Sequence, residues 1–292
     1  MRFALLSLAL LAAPAAAQDD GPIVVTGYSE LEQQIKSFVG ALTPASPRGQ
    51  IARFETAVCP GVFGIPEAQR AAVRERLRAV AKGVGLDVAK PDCTPNLLVM
   101  VAADKNAFVK ALGKDHNYMF GDRTPAQVRK ILAEPGPATA WQIQTMVNGD
   151  GRAVANEGDM PVNRTTRNPS RITAAARPAF LAAAVVIDGA ALDGLTTTQL
   201  ADYAAMRALA RIDPARIDAA APSTILRILD AASDSEVPVT LTQWDFAFLK
   251  GLYSSPDNLY APSQRSEIER TMNEEFDRAG SEGAPPRDKS PG

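Results

Sequence analysis

The chain has 292 residues, of which 46% are hydrophobic and 22% charged, with a net charge of −2. This is ordinary globular composition, so a wholly disordered or collagen-like chain is excluded, and the charge balance lacks the basic footprint of a nucleic-acid binder. One histidine, His116, and two cysteines cannot build a His-rich or Cys-rich metal site, so no metal and no other cofactor is expected.

Met1-Arg2 supplies a positive start. Phe3 to Leu11 is an apolar run broken only by Ser7, and Ala15-Ala16-Ala17 offers a small-residue cleavage site before Gln18. Together these read as a signal peptide over residues 1–17. The run is shorter than the roughly 20 residues a span needs, and an uncleaved anchor is the alternative. No later stretch is apolar enough to span, so no membrane span is expected once the leader is removed. The sequence thus predicts a bacterial protein that is periplasmic or secreted. Cys59 and Cys93 suit an oxidising compartment as a disulfide; two buried free thiols are the other reading.

Residues 18–50 read as an N-terminal arm, a short helix and a linker. Ile23 to Gly27 is an extended stretch of the kind that can pair with a partner by strand addition. Ser29 with Glu32 forms a capping box, and Leu31, Ile35, Phe38 and Val39 share one face of the helix that follows. Thr43 to Gly49 is a linker.

A main domain is predicted over 51–279. Phe54 to Val58 reads as a first strand ending at Cys59. Pro66 then starts a helix with Val73, Leu77, Val80 and Val84 on one stripe. Arg70, Arg74, Arg78 and Lys82 fall on its other faces. Leu97 to Ala102 is a buried strand, which completes a βαβ unit with the cysteines near one end. Asp104 caps a helix through Leu112, and Thr124-Pro125 with Gln127 opens another. Ala140 to Val147 alternates, placing Trp141, Ile143, Thr145 and Val147 on one face of a half-buried strand. Asn148 to Gly151 is a turn, and the polar stretch to Ser170 an irregular loop.

Phe180 to Ile187 is the strongest apolar strand, ended by Asp188-Gly189. Leu195 to Ala210 is the strongest helix, capped by a threonine among Thr196, Thr197 and Thr198. Ser223 or Thr224 opens a short helix through Leu229, and Thr242 caps another with Asp245 near its positive end. Ser263 to Arg278 is a polar helix with Ile268, Met272 and Phe276 at four-residue steps. Gly280 to Gly292 has the composition of a disordered tail. The fold class is α+β, a single domain with a mixed β-sheet early and a helical second half.

The helix Thr196-Thr197-Thr198-Gln199-Leu200-Ala201-Asp202-Tyr203 and the later Leu241-Thr242-Gln243-Trp244-Asp245, leading to Leu252-Tyr253, carry a resemblance. With the strand before them they resemble an uncharacterised family of exported alphaproteobacterial proteins that look like degenerate zincin-like metalloproteases. In zincins two histidines at i and i+4 reach one zinc, and the glutamate between them is the general base. The resemblance puts Gln199, Leu200 and Tyr203 at those three positions, where none does the original chemistry. It therefore implies a zincin-like fold with its motif degenerated, and no metal.

No Gly-x-Ser-x-Gly elbow and no phosphate-binding loop occurs. Asp188, Asp193 and Asp202 surround the strand-to-helix corner, where paired carboxylates could support hydrolysis. The expected function is that of an exported, non-catalytic protein with a groove for a peptide or an envelope partner, lined by Gln199, Tyr203 and Asp202. A metal-independent hydrolase using Asp202 and a structural envelope protein are the alternatives.

Overall fold

The computed structural model describes residues 30–44, 49–168, 170, 173–217, 223–231 and 236–282. The leader, the Ile23 to Gly27 arm, the Ser29 cap and the tail beyond Glu282 lie outside them. The architecture is mixed α/β: a five-stranded, mostly parallel sheet with helices on both faces.

The central strand is β7 (Ala176–Asp188), the apolar run singled out in the sequence. Strands covered on both faces read as continuous apolar runs, which is why this one is the most hydrophobic in the chain. Strand β4 (Ala138–Asn148) lies antiparallel along one whole edge of β7, from Ala138↔Ile187 to Asn148↔Ala176. Parallel strands β3 (Leu97–Ala102) and β1 (Arg53–Phe54) therefore share the opposite edge, and β2 (Pro60–Phe63) pairs beyond β3.

Here the structure corrects the sequence reading. The first strand of the βαβ unit is Pro60–Phe63, after Cys59, while Phe54 to Val58 supplies only the second residue of the two-residue β1 and one bridge, Val58↔Val88. Pro60 is tolerated because β2 is an outer strand. The register of β7 skips Leu181 between Ile143↔Ala182 and Gln144↔Phe180. That bulge turns Phe180 onto the face of Ala183, Val185 and Ile187, where it meets Phe54 edge-on at 5.5 Å, and leaves Leu181 exposed.

On one face α2 (Glu67–Gly83) packs Val73, Leu77, Val80 and Ala81 against the sheet beside α5 (Thr197–Leu209). Every α5 residue from Gln199 to Leu209 is buried. Its alanines at 201, 204, 205 and 208 let it sit between the sheet, α2 and the following helices. Behind it lie α6 (Gln243–Ser254), α7 (Ala261–Glu282) and α1 (Glu30–Leu42), the last contributing Ile35, Phe38, Val39 and Leu42 to the same core. Leu31 stays exposed. Gly280 to Glu282, placed in the tail from composition, continue α7. On the other face α3 (Lys105–Asp115) and α4 (Pro125–Leu132) cover Met100, Trp141, Ala184 and Val186.

The caps fall where the sequence puts them: Asp104 accepts from Ala107 N, and Thr124, Thr196 and Thr242 each close a capping box. The helix expected after Thr224 shrinks to a single 3-10 turn, Ile225–Arg227, and the loop after Gly151 contains a small hairpin, β5 (Ala155–Glu157) with β6 (Met160–Val162). Asp245 joins two chain segments, accepting from Thr242 N at 3.0 Å and from Ile225 N at 2.9 Å.

Cys59 and Cys93 are disulfide-bonded, with Cα atoms 6.1 Å apart and a sequence separation of 34. The bond ties the start of β2 to the segment before β3. Both thiols should resist labelling in the native protein and react after reduction. Replacing either cysteine with serine should cost on the order of 2–4 kcal/mol in denaturant unfolding. Unchanged stability would show that the loop is held by β2–β3 pairing alone. Among the described residues no helix is long and apolar enough to cross a membrane.

Candidate functional site

The α5 residues picked from the sequence are placed in the interior. Gln199 is the third residue of the helix and completes its cap. Its Oε1 accepts from Thr196 N at 3.0 Å, its own N–H donates to Thr196 Oγ1 at 3.1 Å, and its Nε2 donates to Pro238 O at 2.9 Å. Asp202 is fully buried. Its carboxylate accepts from Arg76 Nε at 2.7 Å, Arg76 Nη2 at 3.0 Å, Thr240 Oγ1 at 2.7 Å and Leu241 N at 2.8 Å. Those contacts fill about all the lone-pair sites a carboxylate has. Asp188 accepts from Lys105 N at the start of α3, and Asp193 is exposed. The three carboxylates thus serve separate purposes rather than meeting in a cleft.

Tyr203 is buried at 3% exposure, and its hydroxyl accepts from Arg207 Nη1 at 2.7 Å. Burial pushes the Tyr203 phenol above its usual range, against the opposing pull of Arg207. Burial alone would push Arg207 down; Tyr203 and Glu134 more than offset it and hold the guanidinium above its ordinary value. Arg207 forms an ion pair with Glu134, whose other carboxylate oxygen accepts from Ala140 N at 3.2 Å. The network that begins at Tyr203 therefore ends on the outer edge of β4. None of Gln199, Asp202 and Tyr203 lines the cavities described next.

That edge is the wall of an open groove. Two contacts fix which backbone groups point into it: Ala140 N–H donates to Glu134, and Gln142 C=O accepts from Arg123 Nη2 at 2.6 Å. Backbone groups alternate sides along a strand. Trp141, Ile143 and Thr145 therefore address β7, while Ala140, Gln142, Gln144 and Met146 address the outside. Farther along, Met146 O accepts from Val154 N at 2.8 Å, in the same phase.

A cavity of about 720 Å³ runs along this edge between the Gly121 to Arg123 loop with α4 on one side and the Arg211 to Asp213 segment on the other. A second cavity, about 590 Å³, continues past Met146 toward Gln50, Ile51 and Tyr260. Gln144 and Arg211 line both, so the two adjoin; the second turns onto the sheet face, where Ala176 and Pro178 of β7 join it, because Val154 N occupies the β4 edge at Met146 O. The strand is held firmly beneath it. Trp141 stacks on Phe120 at 4.9 Å and donates its indole N–H to Met119 O at 2.8 Å, and Gln142 Nε2 donates to Arg207 O at 2.8 Å and Ala210 O at 3.1 Å.

Three other cavities are present among the described residues. The largest, about 610 Å³, is lined by Pro214, Thr224, Asp230, Glu236 and Pro238. One of about 410 Å³ contains Arg53, Glu55, Arg177 and Asp257. Its charges satisfy one another: Arg177 Nη2 reaches Glu55 at 2.8 Å and Asp257 at 3.0 Å, and Arg53 Nη1 donates to Ser255 Oγ at 2.8 Å. A small apolar recess lies beside Phe63, Phe108 and Met119. Among the described residues no cluster of His, Cys, Asp or Glu is placed to hold a metal ion.

The sequence reading missed Glu134, Arg123, Arg211, Gln142 and Gln144. One signal was present: glutamines at 142 and 144 share the face of β4 opposite Trp141, Ile143 and Thr145. No family model, no curated protein and no solved structure matches the chain.

Proposed function

We propose that this is an exported, non-catalytic binding protein that takes an extended peptide, or an extended segment of an envelope partner, along the outer edge of β4. The observation that carries the reading is the open cavity over outward-facing backbone groups at Gln142 and Gln144. Strand addition obtains affinity from such groups and specificity from the walls around them. The side chains of Glu134 and Arg123 cover two of the edge positions, which keeps the strand from pairing with another copy while leaving the groove accessible. The saturated hydrogen bonding of Asp202 supports a binding role over a hydrolase built on that residue. Descent from a zincin-like ancestor belongs to the same proposal and rests on the β7–α5 order alone.

Gln144→Pro tests the reading. The substitution removes an outward N–H and puts a ring into the groove without touching the β4–β7 ladder. The full-length variant should melt within a few degrees of wild type and lose retention of peptides from a random octapeptide pool. Equal retention by wild type and variant would remove β4 as the binding edge.

A further inference from the structure

We infer that the groove selects a peptide carrying an internal aspartate or glutamate, whose carboxylate bridges Arg123 and Arg211. This deepens the strand-addition reading and rests on it.

Arg211 stands where the two adjoining cavities meet. It is exposed and has no hydrogen-bond or ion-pair partner among the described residues. Arg123 is half-buried and holds only neutral carbonyls, Phe120 O at 3.0 Å and Gln142 O at 2.6 Å. Arg123 and Arg211 line the same cavity, so the two cations face a common space. Burial and the neighbouring Arg211 charge both push the Arg123 guanidinium below its usual range. The acidic residues of the groove do not neutralise them. Glu134 is committed to Arg207, and Asp213 accepts from Ala215 N at 3.1 Å. Asp122, on the exposed rim, forms an ion pair with neither arginine. Two guanidiniums without a carboxylate are a ready site for one, with planar paired N–H donors.

Position decides between an acidic side chain and a chain terminus. The free edge runs from Ala140 to Gln144, about five residues at roughly 3.3 Å each, before Val154 N takes Met146 O. Arg123 sits at Gln142, in the middle of that stretch, so a bound strand passes it rather than ending there. Docking also frees a donor. When an N–H of the peptide takes the carbonyl of Gln142, Arg123 gives up that carbonyl and turns to the incoming carboxylate. The side chain that guards the empty edge thus becomes the one that reads the occupant.

Three octapeptide pools with random flanks and Glu, Gln or Lys fixed at the fourth position test this on the immobilised full chain, with retained peptides quantified by mass spectrometry. The Glu pool should be retained about tenfold over the Gln pool at low salt, the size of one charge-assisted contact, and the Lys pool least. The preference should shrink in about 0.5 M NaCl and in Arg211→Gln, an exposed change that leaves the melting temperature in place. Equal retention of the Glu and Gln pools, still abolished by Gln144→Pro, would overturn the acid preference while leaving edge binding intact. No retention of any pool would overturn both.

Discussion

Asp202→Ala should lower the stability of the protein by about 3–5 kcal/mol, a drop of about 10 °C in melting temperature for a chain of this size. Three segments meet at this one carboxylate: α2 through Arg76, α5 itself, and the Thr240–Leu241 stretch that leads into α6. Alanine leaves the Leu241 N–H and the Thr240 hydroxyl without their acceptor in a buried place. Arg76 keeps part of its side chain in water, which places the loss toward the lower end of that range. Asp193→Ala, at an exposed position of the same corner, should stay within about 0.5 kcal/mol of wild type. Replacing both partners, Arg76→Met with Asp202→Leu, should recover only the smaller part of the loss that comes from leaving Arg76 unpaired, because the Leu241 N–H and the Thr240 hydroxyl still lack their acceptor. If Asp202→Ala melted with wild type, the carboxylate would not be the junction described, and a catalytic role for it would return.

What the sequence discloses and what it withholds divide along a physical line. Caps and stripes are local: Thr196 sees Gln199 three residues on, and Val73, Leu77 and Val80 share a face whatever else the chain does. The continuous run of β7 announces burial on both faces for the same reason. Pairings across long separations leave no such trace. Nothing near Arg76 in sequence points to a carboxylate 126 residues away, or near Glu134 to Arg207. Strand order is withheld too. The Ala140 to Val147 alternation reveals a strand but not that it lies at the edge of the sheet, and the groove exists only because it does. Gln199 shows the converse error. Its four-residue spacing from Tyr203 fits a metal-ligand pair, yet its three-residue spacing from Thr196 fits a helix cap, and the hydrogen bonds belong to the cap.

The resemblance to zincins is tested most severely by rebuilding the motif as Gln199→His, Leu200→Glu and Tyr203→His together. The full-length triple variant should lose more than about 5 kcal/mol and gain no zinc affinity. Leu200 is 5% exposed and belongs to the main core, so a glutamate there is buried without a partner, at several kcal/mol. Losing the Gln199 side chain removes half of the capping box and its bond to Pro238 O, about 1 kcal/mol more. Histidine at 203 withdraws the hydroxyl that Arg207 holds and leaves that buried guanidinium with Glu134 alone. The same guanidinium would stand beside any cation bound between positions 199 and 203, and that repulsion opposes a metal there. Thermal melts with and without added zinc, and calorimetric titration of the single Tyr203→His variant, separate the two losses. A triple variant that melted near wild type and took up zinc would place positions 199, 200 and 203 at a cleft after all. The proposed zincin kinship would then have a metal-site geometry behind it.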